Sequence, residues 1–323
     1  MAVNEKDVAN FQRSFNSIVD NIEQALFGKR HQVELVLATM VSDGHVLLED
    51  VPGTGKTALA RSLAESIAIS TNRIQFTADL LPSDIIGVDI WNAKKEQFQF
   101  QGGPIFSNII LADEINRASP KTQSALLEVM EEGQVTSGNV TRSVSKPFLV
   151  IATQNPIEQA GTNSLPEAQL DRFMIKTSIG YTDKAITVQI LEGTANPASK
   201  LNAVRGIAGT SILEMASLSR AVFAHPLVLN YIVDIVEATR QAKDIEFGSS
   251  VRGAKNLTKL AKTWALKLGR SHVEPDDVKE LATAVLAHRL VLKNESKFDG
   301  VTAERVMAAI LADVTAPKGD FSK

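Results

Sequence analysis

Residues 50–57 read DVPGTGKT and come directly after the apolar run Val46-Leu47-Leu48. A glycine-rich loop between a strand and a helix turns backbone N–H groups inward, and its glycines supply the freedom to do so. A lysine at position 56 then reaches the terminal phosphates, and a threonine hydroxyl at position 57 ligates Mg²⁺. The spacing therefore predicts a loop that binds ATP with Mg²⁺, formed by Pro52, Gly53, Thr54, Gly55, Lys56, Thr57 and Ala58.

This loop departs from the general pattern at one position. The chain has Asp50 where the first glycine of the pattern is expected. The competing interpretation is a glycine-rich turn that only connects a strand to a helix. The Gly-Lys-Thr triplet stands in the strand-to-helix context that phosphate binding requires, and this favours the nucleotide site.

Two carboxylates follow a second apolar stretch, NIILADEINRA, at residues 108–118. Asn108 to Ala112 is predicted to be a fully buried strand, which places Asp113 and Glu114 at its carboxyl end. Asp113 then holds Mg²⁺, usually through water, and Glu114 polarises a water beside the γ-phosphate. Alternatively, both carboxylates cap the next element. The P-loop earlier in the chain favours the catalytic interpretation.

A polar group also ends the next predicted strand, Phe148 to Ala152, which runs into Thr153-Gln154-Asn155. An amide at a strand tip beside the carboxylate pair would hydrogen-bond the γ-phosphate or the attacking water. Asn155 is the candidate for this role. An asparagine before a proline is by itself more often a turn residue, but the order of the motifs along the chain favours the functional interpretation.

Apolar periodicity predicts the elements around these motifs. The N-terminal segment is predicted to be an amphipathic helix that ends near Gly28. Residues 85–100 and 134–146 are predicted to form β-hairpins, with a helix over residues 120–132 between them. Trp91, in the first hairpin, is expected to be a packing residue rather than a stacking platform.

Length, charge and cysteine content limit the function classes. The 323 residues suit about two domains. With Lys+Arg 34 against Asp+Glu 37 and a formal charge of -3, the chain has no general attraction to nucleic acid. The absence of cysteine excludes disulfides, iron–sulfur clusters and thiol catalysis. No apolar stretch is long enough to insert into a membrane and the N-terminus lacks a signal-peptide core, so we expect a cytoplasmic protein.

The last part of the chain is predicted to be helical. Residues 196–206 form a connecting loop in this prediction, and Arg252 lies in the first turn of a later helix. A cation at a helix start opposes the helix dipole unless an anion lies nearby. A γ-phosphate would be such an anion, whereas a solvated surface arginine is the alternative.

Four segments resemble the MoxR family of AAA+ ATPases, over about residues 20–290: LLEDVPGTGKT, GPIFSNIILADEINRASPKTQSALLEVMEEGQVT, IATQNPIEQAGT and LPEAQLDRF. The resemblance implies an α/β P-loop NTPase core, with a parallel five-stranded sheet and helices on both faces, plus a small C-terminal α-helical lid domain. The implied boundaries are 1–195 for the core, 196–210 for a linker and 211–323 for the lid. Family members assemble as rings, usually hexamers.

The same resemblance assigns roles within the site. Arg252 matches sensor 2, and the Phe27-Gly28 segment matches the region that borders the adenine. The resemblance also implies that Lys56 and Thr57 are the phosphate and Mg²⁺ ligands. It further implies that Asp113 and Glu114 are the Walker B pair and that Asn155 is sensor 1.

Arg172, in the segment LDRF, matches the arginine that projects from one subunit into its neighbour's nucleotide. A cation is wanted there because charge spreads over the equatorial oxygens during phosphoryl transfer. An ordinary salt bridge with Asp171 or Glu167 is the alternative. Arg117 is a second candidate for an interface cation.

The implied function is ATP hydrolysis that moves core against lid and so remodels a partner protein in a chaperone-like way. Family members often work with a separate von Willebrand factor A protein and assist metal or cofactor insertion or complex maturation. The rival is a non-mechanical switch that binds ATP and recruits a partner. A DNA-acting AAA+ protein is the third alternative, and the acidic charge balance argues against it.

Overall fold

The computed structural model describes residues 3–51, 53–137, 140–155, 165–192, 204 and 207–322. The strands in chain order are β1 (Val46–Glu49), β2 (Thr71–Gln75), β3 (Gly87–Asn92), β4 (Gln97–Gly102), β5 (Ile109–Asp113), β6 (Gln134–Ser137), β7 (Val140–Ser143), β8 (Leu149–Gln154), β9 (Ile175–Thr177), β10 (Ile245–Phe247) and β11 (Val291–Leu292). The α-helices up to the predicted linker are α1 (Glu5–Glu23), α2 (Arg30–Val41), α3 (Lys56–Ser66), α4 (Pro82–Ile86), α5 (Pro120–Glu132), α6 (Glu167–Leu170) and α7 (Lys184–Leu191). The later ones are α8 (Gly209–Arg220), α9 (Pro226–Gln241), α10 (Val251–Lys267), α11 (Pro275–Leu286), α12 (Asn294–Phe298) and α13 (Ala303–Asp313).

Five strands form one parallel sheet in the order β2-β5-β8-β1-β9. Successive side chains of a strand point to opposite faces, so a sheet covered on both sides has continuous apolar strands. In β5, Ile109 and Leu111 belong to one apolar core, whereas Ile110 and Ala112 belong to another on the opposite face. This arrangement confirms the predicted fold class.

The C-terminal helices share a core with one face of the sheet. A single apolar cluster extends from α1, α2 and α3 through the sheet into α8, α9, α10, α11 and α13. Where α2, α8 and α10 meet, the buried Thr263 hydroxyl lies 2.7 Å from the hydroxyls of both Ser42 and Ser219. The N-terminal helices therefore join the sheet to the helical region.

Several boundaries differ from the sequence-based expectation. α1 ends at Glu23, a turn earlier than predicted, and α8 begins at Gly209, inside the predicted linker. The predicted loop 196–206 lies outside the described residues except for Val204, as do Pro52 and the tip residues 138–139. The domain limits stay predictions. No helix in the described ranges is long and apolar enough to cross a membrane.

Both predicted hairpins form, as β3–β4 and β6–β7. Trp91 packs edge to face on the exposed Phe98 across the hairpin, but it is 53% exposed and so is not a core residue. The outer part of a two-stranded hairpin has no opposing layer, so its aromatic residues stay at the surface. The hairpins contact each other through Asp89, which accepts a 2.7 Å hydrogen bond from Ser137.

His45 fixes the start of β1 at the opposite end of the sheet from the P-loop. Its Nδ1 accepts a 3.1 Å hydrogen bond from the Val150 N–H, so its Nε2 carries the proton and donates to the Met130 carbonyl at 3.1 Å. Burial lowers the pKa of His45 from 6.5 to about 4. The folded protein therefore keeps this imidazole neutral.

We expect His45 to make the fold sensitive to acid. Between pH 6.5 and 4 the unfolded chain binds a proton here and the folded chain does not, so stability falls as the pH falls through this window. The loss at pH 4 would be roughly 3 kcal/mol. Urea unfolding at several pH values should show a shallower pH slope for His45→Asn, which retains an acceptor near Nδ1. Equal slopes in the two proteins would contradict the prediction.

Candidate functional site

The P-loop lies between β1 and α3 at the carboxyl edge of the sheet. Gly53 and Gly55 have φ values of +87° and +96°, which glycine adopts without strain. Gly55 is the N-cap of α3, and no side chain among the described residues caps this helix. Its first N–H groups thus have no side-chain acceptor in the described part of the chain, and an anion would satisfy them. The Lys56 ammonium donates to the carbonyls of Asp50 and Val51, at 3.0 and 3.1 Å.

One threonine contacts both residues of the predicted Walker B pair. Thr153, at the end of the neighbouring strand β8, is 1% exposed. Its hydroxyl donates to Asp113 Oδ1 at 2.6 Å and accepts from the Glu114 N–H at 2.8 Å. Because parallel strands bring their carboxyl ends to the same edge, β5 and β8 place these groups together.

Glu114 is held in an unusual backbone conformation. Its φ is +57°, in the left-handed region that non-glycine residues seldom occupy. The Glu114 carboxylate accepts from Gln75 at 3.3 Å and from Arg117 at 2.9 Å. Arg117, predicted as a candidate interface cation, therefore pairs with Glu114 of its own chain.

Asp113 has a cationic partner that the sequence did not reveal. Arg73, on β2, donates to Asp113 Oδ2 through Nη2 at 2.5 Å and through Nε at 3.2 Å. The two residues lie on adjacent paired strands. A divalent cation at Asp113 would replace or displace this guanidinium.

These groups surround a cavity of about 440 Å³. Its lining includes Lys56, Thr57, Ala58, the two carboxylates and Asn155. The uncapped helix start and Lys56 suit phosphates, and the Thr57 hydroxyl and Asp113 are oxygen ligands of the kind Mg²⁺ prefers. The residues present thus fit ATP with Mg²⁺. A larger cavity of about 690 Å³ between α1 and α8 is lined by described residues that include Asp7 and Glu214 but no lysine or arginine, so it does not suit phosphate.

The predicted adenine segment lies beside the P-loop. A Cβ on Gly55 would lie 3.3 Å from the Leu26 side chain, and a side chain at Gly28 would collide with Ile186 of α7. Phe27 itself is half-buried. The segment 26–28 is thus held between the P-loop and α7, where it could contact a base, and this role stays a prediction.

Two predicted arginines lie together, and neither lines the nucleotide cavity. Arg172 contacts Glu131 Oε2 at 3.2 Å, and Arg252 contacts the other oxygen of the same carboxylate. Arg252 also lies 3.6 Å from Asp171 Oδ2. Arg172 thus has an ion pair, as the alternative interpretation held, but its partner is Glu131 rather than Asp171 or Glu167. The position of Arg252 at a helix start required a nearby anion. In this structure the carboxylates of Glu131 and Asp171 are those anions.

Asp50, the departure from the P-loop pattern, has a structural role. Its carboxylate is 5% exposed and accepts hydrogen bonds from the N–H groups of Ile179 and Gly180, at 2.5 and 3.0 Å. It ties the start of the P-loop to the segment that follows β9. A glycine here could not make this connection.

We expect Asp50→Gly to destabilise the protein although it restores the usual P-loop pattern. Two backbone donors would lose their buried acceptor, and each unsatisfied group costs about 1–3 kcal/mol. Asp50→Asn keeps one acceptor oxygen and should lie between the two. The free energy of unfolding in urea measures the effect. A glycine variant as stable as the native chain would show that the tie contributes nothing.

Sequence reasoning missed several residues of this region. Thr153 was visible only as part of a strand end, and Glu131 only as one of two acidic residues ending a helix. Arg73 and Gln75 alternate along β2, so both project from one face of that strand. Such alternation, on a strand beside the one that ends in the carboxylates, is a sequence signal that could have identified Arg73 and Gln75. The sequence has no comparable signal for Glu131.

Comparison with known proteins agrees with this geometry. Residues 45–175 match a family described as "ATPase family associated with various cellular activities (AAA)", and residues 237–310 match an AAA lid domain. The protein YeaC of Bacillus subtilis is 47% identical over 301 residues, 93% of each chain. Chaperone MoxR1 of Mycobacterium tuberculosis is 39% identical over 318 residues, 93% of this chain and 83% of MoxR1. A Cytophaga hutchinsonii protein of known crystal structure superposes on this chain with a TM-score of 0.89 and is 38% identical to it. The match covers 97% of this chain and 98% of the other.

Proposed function

Because the chain belongs to the MoxR family of AAA+ ATPases, we propose that it hydrolyses ATP in a hexameric ring and uses the cycle to remodel a partner protein. The observation that carries this proposal is the division of the site. The groups proposed to bind phosphate, hold Mg²⁺ and polarise water line one cavity, whereas Arg172 and Arg252 lie outside it. A second copy would have to supply its arginines to complete the site.

The chain's own residues have separable tasks in this proposal. The uncapped start of α3 and the Lys56 ammonium bind the phosphates, and Thr57 and Asp113 hold Mg²⁺. Mg²⁺, when bound there, would neutralise the negative charge that develops on the phosphate during transfer. Glu114 accepts a proton from the attacking water, after its carboxylate leaves Gln75 and Arg117. Asn155 orients that water or the γ-phosphate.

The arginine pair supports cleavage across a subunit interface. Arg172 and Arg252 share Glu131, and the side chain of Arg252 is 41% exposed. A terminal phosphate from a neighbouring copy carries more charge than one carboxylate, so it would compete with Glu131 for both cations. Hydrolysis would then depend on assembly.

A protein client is supported by the family and by the exposed hairpin. One relative carries the name chaperone MoxR1. The β3–β4 hairpin exposes Val88 and Ile90 on one face and Trp91 and Phe98 on the other, and such apolar side chains suit contact with polypeptide. We propose a separate von Willebrand factor A protein as the adaptor, with maturation or metal or cofactor insertion of a client complex as the outcome.

A Glu114→Gln variant tests this function. The variant is saturated with ATP and used to capture partner proteins from cell extract. A remodelling ATPase that cannot turn over should assemble with ATP, retain its client and fail to release it, whereas the native chain releases it. Native-like control of the partner by the stalled form would instead indicate a non-mechanical switch. A strictly monomeric chain whose turnover per subunit is independent of concentration would overturn the ring.

A further inference from the structure

Arg289 is a buried arginine in the 3₁₀ helix Ala287–Arg289, which follows α11. Its side chain is 2% exposed, and arginine is almost never buried unless it is paired. A guanidinium carries five N–H donors and no acceptor, so each buried donor needs an oxygen. The partners it finds indicate what it holds.

Most of these partners belong to residues 171–174. Nε donates to Asp171 Oδ1 at 2.8 Å, and Nη2 donates to the carbonyls of Asp171 and Phe173 at 3.2 and 2.5 Å. Nη1 donates to the carbonyl of Met174 at 3.3 Å. Two further contacts of Nη1 lie outside this segment: the Val285 carbonyl one turn earlier in α11, and Nε2 of the adjacent His288 at 2.8 Å. Arg289 thus forms hydrogen bonds with the backbone on both sides of Arg172.

The second oxygen of Asp171 continues the connection to Arg252, at 3.6 Å. Glu131 then joins Arg252 to Arg172. Positive and negative side chains alternate in this series of ion pairs, which contains three arginines and two carboxylates. The series therefore has one surplus positive charge on a backbone segment that is held in place, and this arrangement suits an anion.

We propose that Arg289 is a positioning residue that holds the 171–174 segment against the C-terminal helices, so that Arg172 and Arg252 are presented together to a neighbouring subunit. This inference rests on the proposed function, because it assumes that the two arginines act in trans. A lysine at position 289 could not replace it, since one ammonium cannot reach acceptors on both sides of Arg172. The catalytic contact itself remains with Arg172 and Arg252.

A purely structural role makes a different prediction, and Arg270 provides the matched control. Arg270 is also a partly buried arginine of the C-terminal region, with a 2.5 Å ion pair to the buried Asp277. Its partners lie at the start of α11, away from the 171–174 segment. Arg270→Met should lower stability without a selective loss of activity in trans.

Subunit mixing distinguishes the two roles. Arg289→Met retains its own phosphate-binding groups, whereas Lys56→Ala loses them but keeps its arginine pair. We expect Arg289→Met alone to bind a fluorescent ATP analogue within about twofold of the native affinity and to lose about tenfold or more in kcat. Mixed with inactive Lys56→Ala subunits, it should regain turnover above either protein alone. Arg289→Lys carries the same test if the methionine variant does not fold.

Arg172→Ala mixed with Lys56→Ala separates this inference from the proposed function. Restored turnover in that pair, with none in the Arg289 pair, would overturn the positioning role alone. The positioning role would also be overturned if the loss of kcat in Arg289→Met were no larger than its loss of nucleotide affinity. A loss of kcat of the same size in Arg270→Met would overturn it as well. Failure of both mixtures would overturn trans action and with it the inference.

Discussion

Replacing Glu114 by Gln is expected to lower ATP turnover by about 10²-fold or more while ATP affinity stays within about twofold of the native value. The amide keeps the size of the side chain and its contact with Gln75, but it cannot accept the proton of the attacking water. Phosphate binding rests on Lys56 and the start of α3, which the substitution leaves unchanged. Single-turnover hydrolysis and equilibrium nucleotide binding measure the two effects separately.

Glu132→Gln is the matched control for this substitution. Glu132 is an exposed glutamate at the end of α5, and its replacement makes the same change of charge outside the cavity. Its turnover should match the native rate. If Glu114→Gln kept most of its activity, proton transfer would have to be assigned to another residue.

Replacing Arg172 by Ala is expected to lower kcat by about 10³-fold, the scale on which an arginine supplied in trans accelerates phosphoryl transfer. ATP affinity in the subunit's own cavity should hardly change, because Arg172 does not line it. Assembly should persist, since the loss concerns charge stabilisation in the transition state. Steady-state kinetics at saturating ATP and sedimentation of the ATP-bound protein measure these outcomes.

Arg220→Ala controls for the loss of an exposed arginine. The Arg220 side chain makes a 2.9 Å ion pair with Asp43 and has no ion pair with Glu131; it is 61% exposed, against 29% for Arg172. Surface ion pairs of this kind contribute about 0–1 kcal/mol. Comparable kcat losses in the two variants would refute the special role of Arg172.

The central parts of the site could be predicted from the sequence because they depend on local order. A glycine-rich turn after a strand, and carboxylates at the end of the next buried strand, specify where the chemistry lies once the strands are parallel. Lys56, Thr57, Asp113, Glu114 and Asn155 do line one cavity. The fold class came from the resemblance to the MoxR family, and fully apolar strands alternating with helices agree with it.

The supporting contacts could not be predicted, because their partners are distant in the chain. Asp50 holds the N–H groups after β9, and Thr153 joins Asp113 to Glu114. Sequence patterns describe one segment at a time, and they give no register between β5 and β8. A hydroxyl placed within hydrogen-bonding distance of two carboxylate residues is a consequence of that register.

The sequence by itself determined which residues are proposed for phosphate chemistry, because type and spacing within each segment suffice for that proposal. Only the tertiary structure decided where the arginines face. Arg252 was placed correctly at a helix start, but the packing of α8, α10 and α11 against α2 and β9 turns that start toward Glu131 and Asp171. The direction of a helix end depends on how apolar faces pack across the whole molecule, and no local pattern contains that information.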